Sequence, residues 1–354
     1  MTRRSNDDLV MRGVTLSVGQ GGEAIPILVD IDLEVPAGST LGVVGESGSG
    51  KSMLAKSIMR LLPSSMSLSG SITIGGQEIM AKSPKELRAM WGSRLALVSQ
   101  DPMRSLNPVV RIGRQVTEAM RPKMGLSKKE AFEKGVQLLR EVGIPSPEQR
   151  MRAYPHELSG GMRQRVCIAM ALACEPDMLI ADEPTTALDV TVQRQILDLL
   201  EAEQQSRGMS LILVSHDLGV VAGRTQQLAV MYAGRLVEVG ATRDVFRSLK
   251  HRYTDALLRA VPRLNAASNI DLPNIPSAPG LVTASRGCSF APRCPAATDV
   301  CHDQQPPFAS GEAASHRYAC FNPVTGQASP GSSDGEPTEP FKVALRQGRQ
   351  SNGR

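Results

Sequence analysis

The chain has 354 residues, a formal net charge of +5, and 41% hydrophobic, 21% charged and 3% aromatic residues. This length fits one large domain with an appendage, or two domains, and the composition excludes global disorder. No apolar run approaches the roughly 18 to 20 residues that cross a bilayer, and the first ten residues lack the apolar region of a secretory signal. Basic residues do not cluster beside aromatic ones, so we expect a cytoplasmic chain without a nucleic-acid partner.

Short apolar runs separated by helical patterns predict an α/β core. Residues 27–35 begin apolar and then alternate, which indicates a half-buried strand. Further apolar runs indicate buried parallel strands, at residues 40–44, 95–99, 178–181 and 211–214. The first of these runs is followed by a helical pattern over 52–62 that stops at Pro63.

The later part of the chain changes character several times. Residues 104–175 show helical patterns alone, which predicts a separate helical subdomain, and residues 228–231 and 235–239 predict a hairpin. Prolines then interrupt a polar stretch, and the last residues are rich in Gly, Ser, Pro and charge. We therefore expect a compact body, a linker, a cysteine-containing segment and a disordered tail, at 1–262, 263–287, 288–322 and 323–354.

A glycine-rich segment lies between the predicted strand 40–44 and the helix that follows. Its pattern is G-x-x-x-x-G-K-[ST], in the context that a phosphate-binding loop requires. Glycines let successive backbone N–H groups converge on phosphates, and the helix N-terminus adds partial positive charge. Lys51 is predicted to reach the β- and γ-phosphates of ATP, and the Ser52 hydroxyl to ligate Mg²⁺. The loop consists of Gly45, Glu46, Ser47, Gly48, Ser49, Gly50, Lys51 and Ser52.

Two carboxylates follow the predicted strand 178–181. Asp182 is in position to bind Mg²⁺, and Glu183 to act on the attacking water. An acidic pair after a strand can instead be a helix cap. Together with the phosphate loop, the pair predicts ATP hydrolysis.

The octet 158–165, L-S-G-G-M-R-Q-R, distinguishes this chain among ATPases. Ser159 can cap a helix, while Gly160 and Gly161 leave the helix N-terminus bare for a phosphate. Capping alone does not account for the whole octet, which includes Gln164. With these motifs in this order, the sequence resembles the ATP-binding subunits of ABC transporters over roughly residues 9–322.

The resemblance implies roles that spacing does not show. Gln100 matches a glutamine that contacts Mg²⁺ and water and relays to the membrane subunit, and His216 matches a histidine that senses the γ-phosphate. The catalytic set implied is thus Glu183, His216 and Gln100. The implied fold is a P-loop α/β cassette with an antiparallel β subdomain, an inserted helical subdomain and a small C-terminal cysteine region. Nucleotide contacts outside the loop are assigned to Asp182, Ser159, Gly160, Gly161, Gln164 and Asp189, the last in a loop that communicates across a dimer.

Residues 101–108, 181–193 and 251–254 are similar to the corresponding segments of oligopeptide and dipeptide importers. This similarity implies a subunit that hydrolyses ATP to power peptide import at the cytoplasmic face of a bacterial inner membrane. The implied partners are a second, different ATPase, two membrane permeases and an extracytoplasmic solute-binding protein. Nickel importers share much of the pattern, so import of nickel or another small solute stays an alternative.

Two rival functions belong to other classes. ABC ATPases that act on DNA or the ribosome usually carry two cassettes or a long insertion, whereas the interval from Lys51 to Ser159 fits the helical subdomain alone. A metal-sensing module regulated by ATP would not need both Glu183 and His216.

The sequence departs from the family at Val18, which occupies the position where an aromatic residue usually stacks on adenine. The absence of that aromatic residue predicts weak selectivity for the nucleotide base.

Four cysteines are spaced C-x5-C-x6-C-x18-C, at Cys288, Cys294, Cys301 and Cys320. In a reducing compartment such a group suggests a metal rather than disulfides. Similar cysteines in some relatives hold a [4Fe-4S] cluster, for which four thiolates are the ligand set. Zn²⁺ is the second candidate, although its usual close C-x2-4-C pairs are absent, and reduced cysteines in a docking segment are the third. We expect a structural role, because the segment is far from Lys51 and Glu183 in sequence.

Overall fold

A computed structural model describes residues 8–19, 24–186, 188–260, 286–313 and 315–325. The expected linker, apart from its last two residues, and the expected tail, apart from its first three, lie outside the described residues. The described residues fall into two compact units. The first unit holds those within Met1–Leu9, Val35–Ser39 and Thr73–Val214, and the second holds those within Val10–Glu34, Thr40–Ile72 and Ser215–Arg354.

The strands and helices of the described residues follow one another in an α/β order. The strands are β1 (Leu9–Val18), β2 (Ile25–Val35), β3 (Thr40–Val44), β4 (Met66–Ile74), β5 (Gln77–Glu78), β6 (Leu95–Val98), β7 (Met178–Asp182), β8 (Ser210–Ser215), β9 (Gln227–Tyr232), β10 (Arg235–Ala241), β11 (Ala309–Ser310) and β12 (Arg317–Tyr318). The α-helices are α1 (Lys51–Ile58), α2 (Pro84–Met90), α3 (Pro102–Ser105), α4 (Ile112–Thr117), α5 (Met120–Met124), α6 (Lys128–Glu141), α7 (Pro147–Arg150), α8 (Gly160–Leu172), α9 (Val190–Arg207), α10 (Leu218–Ala222), α11 (Thr242–Arg247), α12 (Arg252–Arg259) and α13 (Asp299–Asp303). Short 3-10 helices occupy Pro155–Glu157 and Ala291–Arg293.

In the first unit, β6, β7 and β8 form parallel pairs, as the apolar runs predict. Val98 is in register with Ala181, and Ala181 with Leu213. Every residue of β7 and β8 is buried, which explains their apolar composition. Asp182, the last residue of β7, is therefore carried to the end of a buried strand.

In the first unit, residues 104–175 are all described and none is in a strand, while a separate helical subdomain stays a prediction. Helix α8 packs against α4, α6 and β6. Helix α6 begins with a capping box, in which the Ser127 hydroxyl accepts from the Glu130 N–H and the Glu130 carboxylate accepts from the Ser127 N–H. A local sequence signal thus marks the start of this helix.

In the second unit, β3 pairs in parallel with β9, and β9 pairs antiparallel with β10, which confirms the predicted hairpin. Strand β12 then pairs antiparallel with β10, and β11 with β12. Because β11 and β12 come from the cysteine-containing segment, that segment extends the sheet that contains β3. The glycine-rich loop leaves the end of β3.

Strands β1, β2 and β4 of the second unit share another sheet, in the order β2-β1-β4. Gly70 of β4 has φ of 93° and lies against the backbone of Gly13, so a side chain at residue 70 would collide with a carbonyl oxygen. Helix α1 ends at Ile58, earlier than the pattern over 52–62 predicts. Among the described helices, none combines the length and apolar character needed to cross a membrane.

Candidate functional site

The glycine-rich loop joins β3 to α1, as predicted. Gly50 is the N-cap of α1 with φ of 103°, a conformation that glycine adopts without strain, and no side chain caps the helix. The N–H groups of the first turn therefore present the positive end of the helix dipole. The buried Ser49 hydroxyl has no hydrogen-bond partner among the described residues. A loop that binds an anion is expected to contain such a donor.

Lys51 is held against this loop and is only 4% exposed. Its Nζ donates to the carbonyl oxygens of Gly45, at 2.8 Å, and of Glu46, at 2.9 Å. A buried ammonium needs such partners because desolvation would otherwise be costly. A bare helix N-terminus, an unpartnered hydroxyl and a held cation together fit the phosphates of a nucleotide.

Glu46 forms hydrogen bonds through both its main chain and its side chain. Its N–H donates to the Tyr253 Oη at 2.7 Å. Its two carboxylate oxygens each accept a bond from the Arg293 guanidinium, both at 2.9 Å. Burial raises the pKa of Tyr253, so its phenol stays protonated at neutral pH. Sequence reasoning missed both partners, because neither contact has a local signal.

A buried polar cluster lies at the N-terminus of α12, next to Tyr253. Glu238 is fully buried and accepts from the backbone N–H groups of Lys250, at 2.8 Å, and His251, at 3.0 Å, and its carboxylate lies 2.8 Å from the His316 ring nitrogen. The Nδ1 of His251 accepts from the Tyr253 N–H at 3.1 Å. Burial lowers the pKa of His251 to about 4, so this acceptor stays neutral at neutral pH.

Of the two predicted carboxylates, Asp182 ends β7 in the first unit and Glu183 directly follows the strand. Glu183 has φ of 45°, a strained value for a residue with a side chain, and its N–H donates to the Val214 carbonyl at 3.1 Å. Its Oε2 accepts from the Gln100 Nε2 at 2.9 Å and from the Thr186 hydroxyl at 3.0 Å. The structure thus brings Gln100 and Glu183 together. It adds Thr186, whose only signal is a hydroxyl three residues after a carboxylate.

The octet 158–165 turns into α8, as predicted. The Ser159 hydroxyl accepts from the Met162 N–H at 3.3 Å, and Gly160 and Gly161 form the first turn. Ser159 and Gly160 are exposed. Gln164 is 1% exposed, and its Nε2 has no partner among the residues that the structure describes.

The remaining residues assigned by resemblance lie at the ends of elements. Asp189 caps α9 by accepting from the Val192 N–H at 2.9 Å, while Ala187, in the same loop, is outside the described residues. His216 is exposed and directly follows β8. Val18 is the last residue of β1 and is half-buried.

Comparison with known proteins extends over most of the chain. Residues 28–186 match the family described as "ABC transporter", and residues 237–301 match "Oligopeptide/dipeptide transporter, C-terminal region". The chain is 48% identical to the oligopeptide transport ATP-binding protein OppD of Salmonella typhimurium, over 83% of this chain and 88% of that protein. It is 44% identical to the dipeptide transport ATP-binding protein DppD of Haemophilus influenzae, over 89% of this chain and 96% of that protein. The chain belongs to the family of ABC transporter ATP-binding proteins.

Solved structures confirm the ABC cassette fold. A dimeric ATP-binding cassette in a post-hydrolysis state, bound to ADP and Pi, has a TM-score of 0.60 at 26% identity and covers 66% of this chain and 98% of its own. The cbiO1 protein from Clostridium perfringens, part of the ABC transporter complex cbiONQ, has a TM-score of 0.58 at 28% identity, over 68% and 91% of the two chains.

All four cysteines of the cysteine segment line one small cavity in the second unit. Burial raises the pKa of Cys288 and of Cys320, and the neighbouring cysteines raise both further. Among the described residues, no three metal-binding side chains are close enough together to form a ready-made site. The four thiols thus share a cavity, but the described residues form no ready-made metal site.

The cysteine segment contacts the nucleotide loop, although the two lie far apart in the sequence. Arg293 lies one residue before Cys294 and yet holds the carboxylate of Glu46 inside the loop. The cysteine segment is therefore close to the nucleotide loop in the folded chain, although it is distant from the loop in the sequence.

Proposed function

We propose that this chain hydrolyses ATP to power the import of di- or oligopeptides through a membrane ABC transporter. The observation that carries the proposal is the joint match of the cassette and of the C-terminal region, with relatives named for oligopeptide and dipeptide transport over most of the chain. The same C-terminal match favours peptides over nickel or another small solute.

Each site residue has a role that fits its surroundings. Lys51 holds the β- and γ-phosphates, and the N–H groups of the loop bind the remaining phosphate oxygens. Ser52, Gln100 and Asp182 are the residues that would hold Mg²⁺, which neutralises charge that develops on the phosphates. Glu183 takes a proton from the attacking water, while Gln100 and Thr186 fix its carboxylate by donating to Oε2. His216 contacts the γ-phosphate.

The octet residues serve a second cassette. Ser159 and Gly160 are exposed at the start of α8, and no residue of the described chain pairs with the Gln164 amide nitrogen. An anion that arrives from a partner would meet this exposed helix N-terminus. We infer that Ser159 to Gly161 and Gln164 complete the ATP site of a different ATPase subunit, and that Asp189 senses that partner.

The residues that follow Gln100 along the chain include exposed apolar side chains that fit a contact with the membrane partners. Met103 is 62% exposed and Val109 is 79% exposed. We infer that these two side chains belong to a surface that another protein covers. We assign it to the two permease subunits, which would hold the chain at the cytoplasmic face of the inner membrane and receive solute from a binding protein.

The test is reconstitution of the chain with its neighbouring transporter subunits in vesicles, with ATP turnover as the readout. We expect a peptide-loaded binding protein to stimulate turnover and Ni²⁺ to have no effect. Stimulation by nickel with none by peptides from two to about ten residues would replace the proposed substrate. ATP turnover that needs DNA or ribosomes would replace the function.

We also propose that Cys288, Cys294, Cys301 and Cys320 bind a [4Fe-4S] cluster. Four thiols that line one cavity support the proposal, since four thiolates are the ligand set of such a cluster. Burial raises the pKa of the Cys288 and Cys320 thiols, which opposes their ionisation without a cation, so metal binding would release protons from these two residues. The other outcomes are one Zn²⁺ and no metal.

Anaerobic purification of the full chain tests this. We expect broad absorption at about 400 nm and about four irons per chain. Cys294→Ser should lose both, whereas Cys174→Ser, a buried cysteine of the first unit, should keep both. Colourless protein with one zinc per chain would favour Zn²⁺, and metal-free protein would leave a docking segment.

A further inference from the structure

The contact between Arg293 and Glu46 joins the cysteine segment to the phosphate loop. Arg293 ends the 3-10 helix Ala291–Arg293, and its side chain is 6% exposed. Two of its nitrogens each reach one oxygen of the Glu46 carboxylate at 2.9 Å. This paired geometry is the strong, directional form of an arginine–carboxylate interaction, which fixes orientation as well as distance.

The guanidinium is itself held in place. Its Nη1 also donates to the Tyr232 hydroxyl at 3.0 Å. It lies 5.7 Å from the centroid of the Tyr232 ring and 6.0 Å from that of Phe290. The ring of Tyr253 packs on both, with centroids 4.6 and 5.4 Å away. An arginine fixed by aromatic faces and a hydroxyl is a rigid support rather than a mobile surface charge.

From Glu46 the chain of contacts reaches Lys51 in one step. The Glu46 N–H is engaged by Tyr253, its carboxylate by Arg293, and its carbonyl oxygen by the Lys51 ammonium at 2.9 Å. With these three groups engaged, the peptide planes on either side of Glu46 cannot turn freely. The orientation of the loop, and the position of Lys51 beside it, therefore depend on Tyr253 of α12 and on Arg293 of the cysteine segment.

We propose that Arg293 is a positioning residue of the ATP site, through which the cysteine segment and the phosphate loop stabilise each other. Loss of Arg293 leaves Glu46 able to turn towards water, since its side chain is 31% exposed, and the loop loses its fixed orientation. Coupling of this kind is reciprocal: the segment that favours ATP binding is stabilised by ATP to the same degree. The inference rests on the proposed ATPase function.

The first experiment measures ATP binding by the full chain and the KM and kcat of the reconstituted transporter. Arg293→Gln should weaken ATP binding and raise KM by about fivefold or more, with a smaller change in kcat, because Arg293 does not touch the reacting atoms. Arg293→Lys should recover part of the affinity, since lysine keeps the charge but not the paired geometry. Combining Glu46→Gln with Arg293→Gln should add little to the larger single effect.

The matched control is Arg317→Gln. Arg317 lies in β12 of the same segment, stacked 5.5 Å from the Phe308 ring centroid. Its loss should leave KM for ATP unchanged. An unchanged KM in Arg293→Gln, or an equal rise in both variants, would overturn the proposal, because only general loosening of the segment would remain. Wild-type chain that binds no ATP would instead refute the proposed function.

A second measurement needs no variant of Arg293. Amide hydrogen exchange over residues 288–301 is compared with and without Mg²⁺ and ATP, with Glu183→Gln as the background that prevents hydrolysis. We expect slower exchange in the presence of ATP, because the loop and the segment stabilise each other. Exchange that ATP leaves unchanged in this segment would contradict the coupling even if Arg293→Gln failed to fold.

Discussion

Glu183→Gln should bind ATP and Mg²⁺ normally and hydrolyse ATP at about a hundredth of the wild-type rate or less, since general-base groups contribute about 10² to 10⁴. The substitution preserves the local geometry. Gln100 and Thr186 both donate to one carboxylate oxygen, and the oxygen of a glutamine can accept the same two bonds. What disappears is the group that takes the proton.

Single-turnover hydrolysis and equilibrium ATP binding, measured on the same preparation, separate chemistry from affinity. Glu201→Gln is the control, because Glu201 lies on α9 of the same unit and accepts a bond from Gln205 instead of taking part in the site. A Glu183→Gln enzyme that turns over ATP at near-wild-type rate would move the base to another residue. Loss of ATP binding in that variant would assign Glu183 to the nucleotide contacts.

Buried strands and capped helices could be predicted because their signals are local. The run 40–44 coincides with β3, which is buried at every residue, and α8 starts after Ser159, whose hydroxyl accepts from the third N–H. Strand β4 was missed because Met66–Ile74 contains serines and a glycine, and nothing along the chain shows that Gly70 lies against Gly13. Its pairing is decided by a backbone approach between distant residues.

The candidate site divides in the same way. Motif spacing predicts Lys51 and Glu183, and the family resemblance adds Gln100, which the structure brings to within 2.9 Å of the Glu183 carboxylate. The Arg293–Glu46 pair could not be predicted, because 247 residues separate the two and an ion pair leaves no periodic pattern.

Asp182→Asn is expected to abolish the dependence of ATP binding on Mg²⁺ and, with it, hydrolysis. Asp182 is the last residue of β7, 6% exposed and in register with Val214. Asparagine has nearly the same size, so the buried strand can keep its pairing, while the negative charge that a hard cation prefers is removed. Because even a change outside the ligand shell costs about 10- to 100-fold in metal affinity, we expect at least that loss here.

Titration of Mg²⁺ at fixed ATP measures the effect, and thermal unfolding without nucleotide checks that the fold is retained. Asp177→Asn is the matched control: Asp177 directly precedes the same strand and pairs with Arg94 at 3.2 Å, so its loss should leave the Mg²⁺ titration unchanged. Glu183→Gln adds a second comparison, since it should retain Mg²⁺-dependent binding and lose only turnover. A wild-type Mg²⁺ titration in Asp182→Asn would show that the metal is held without this carboxylate, and the assignment of the two neighbouring acids would then have to be reversed.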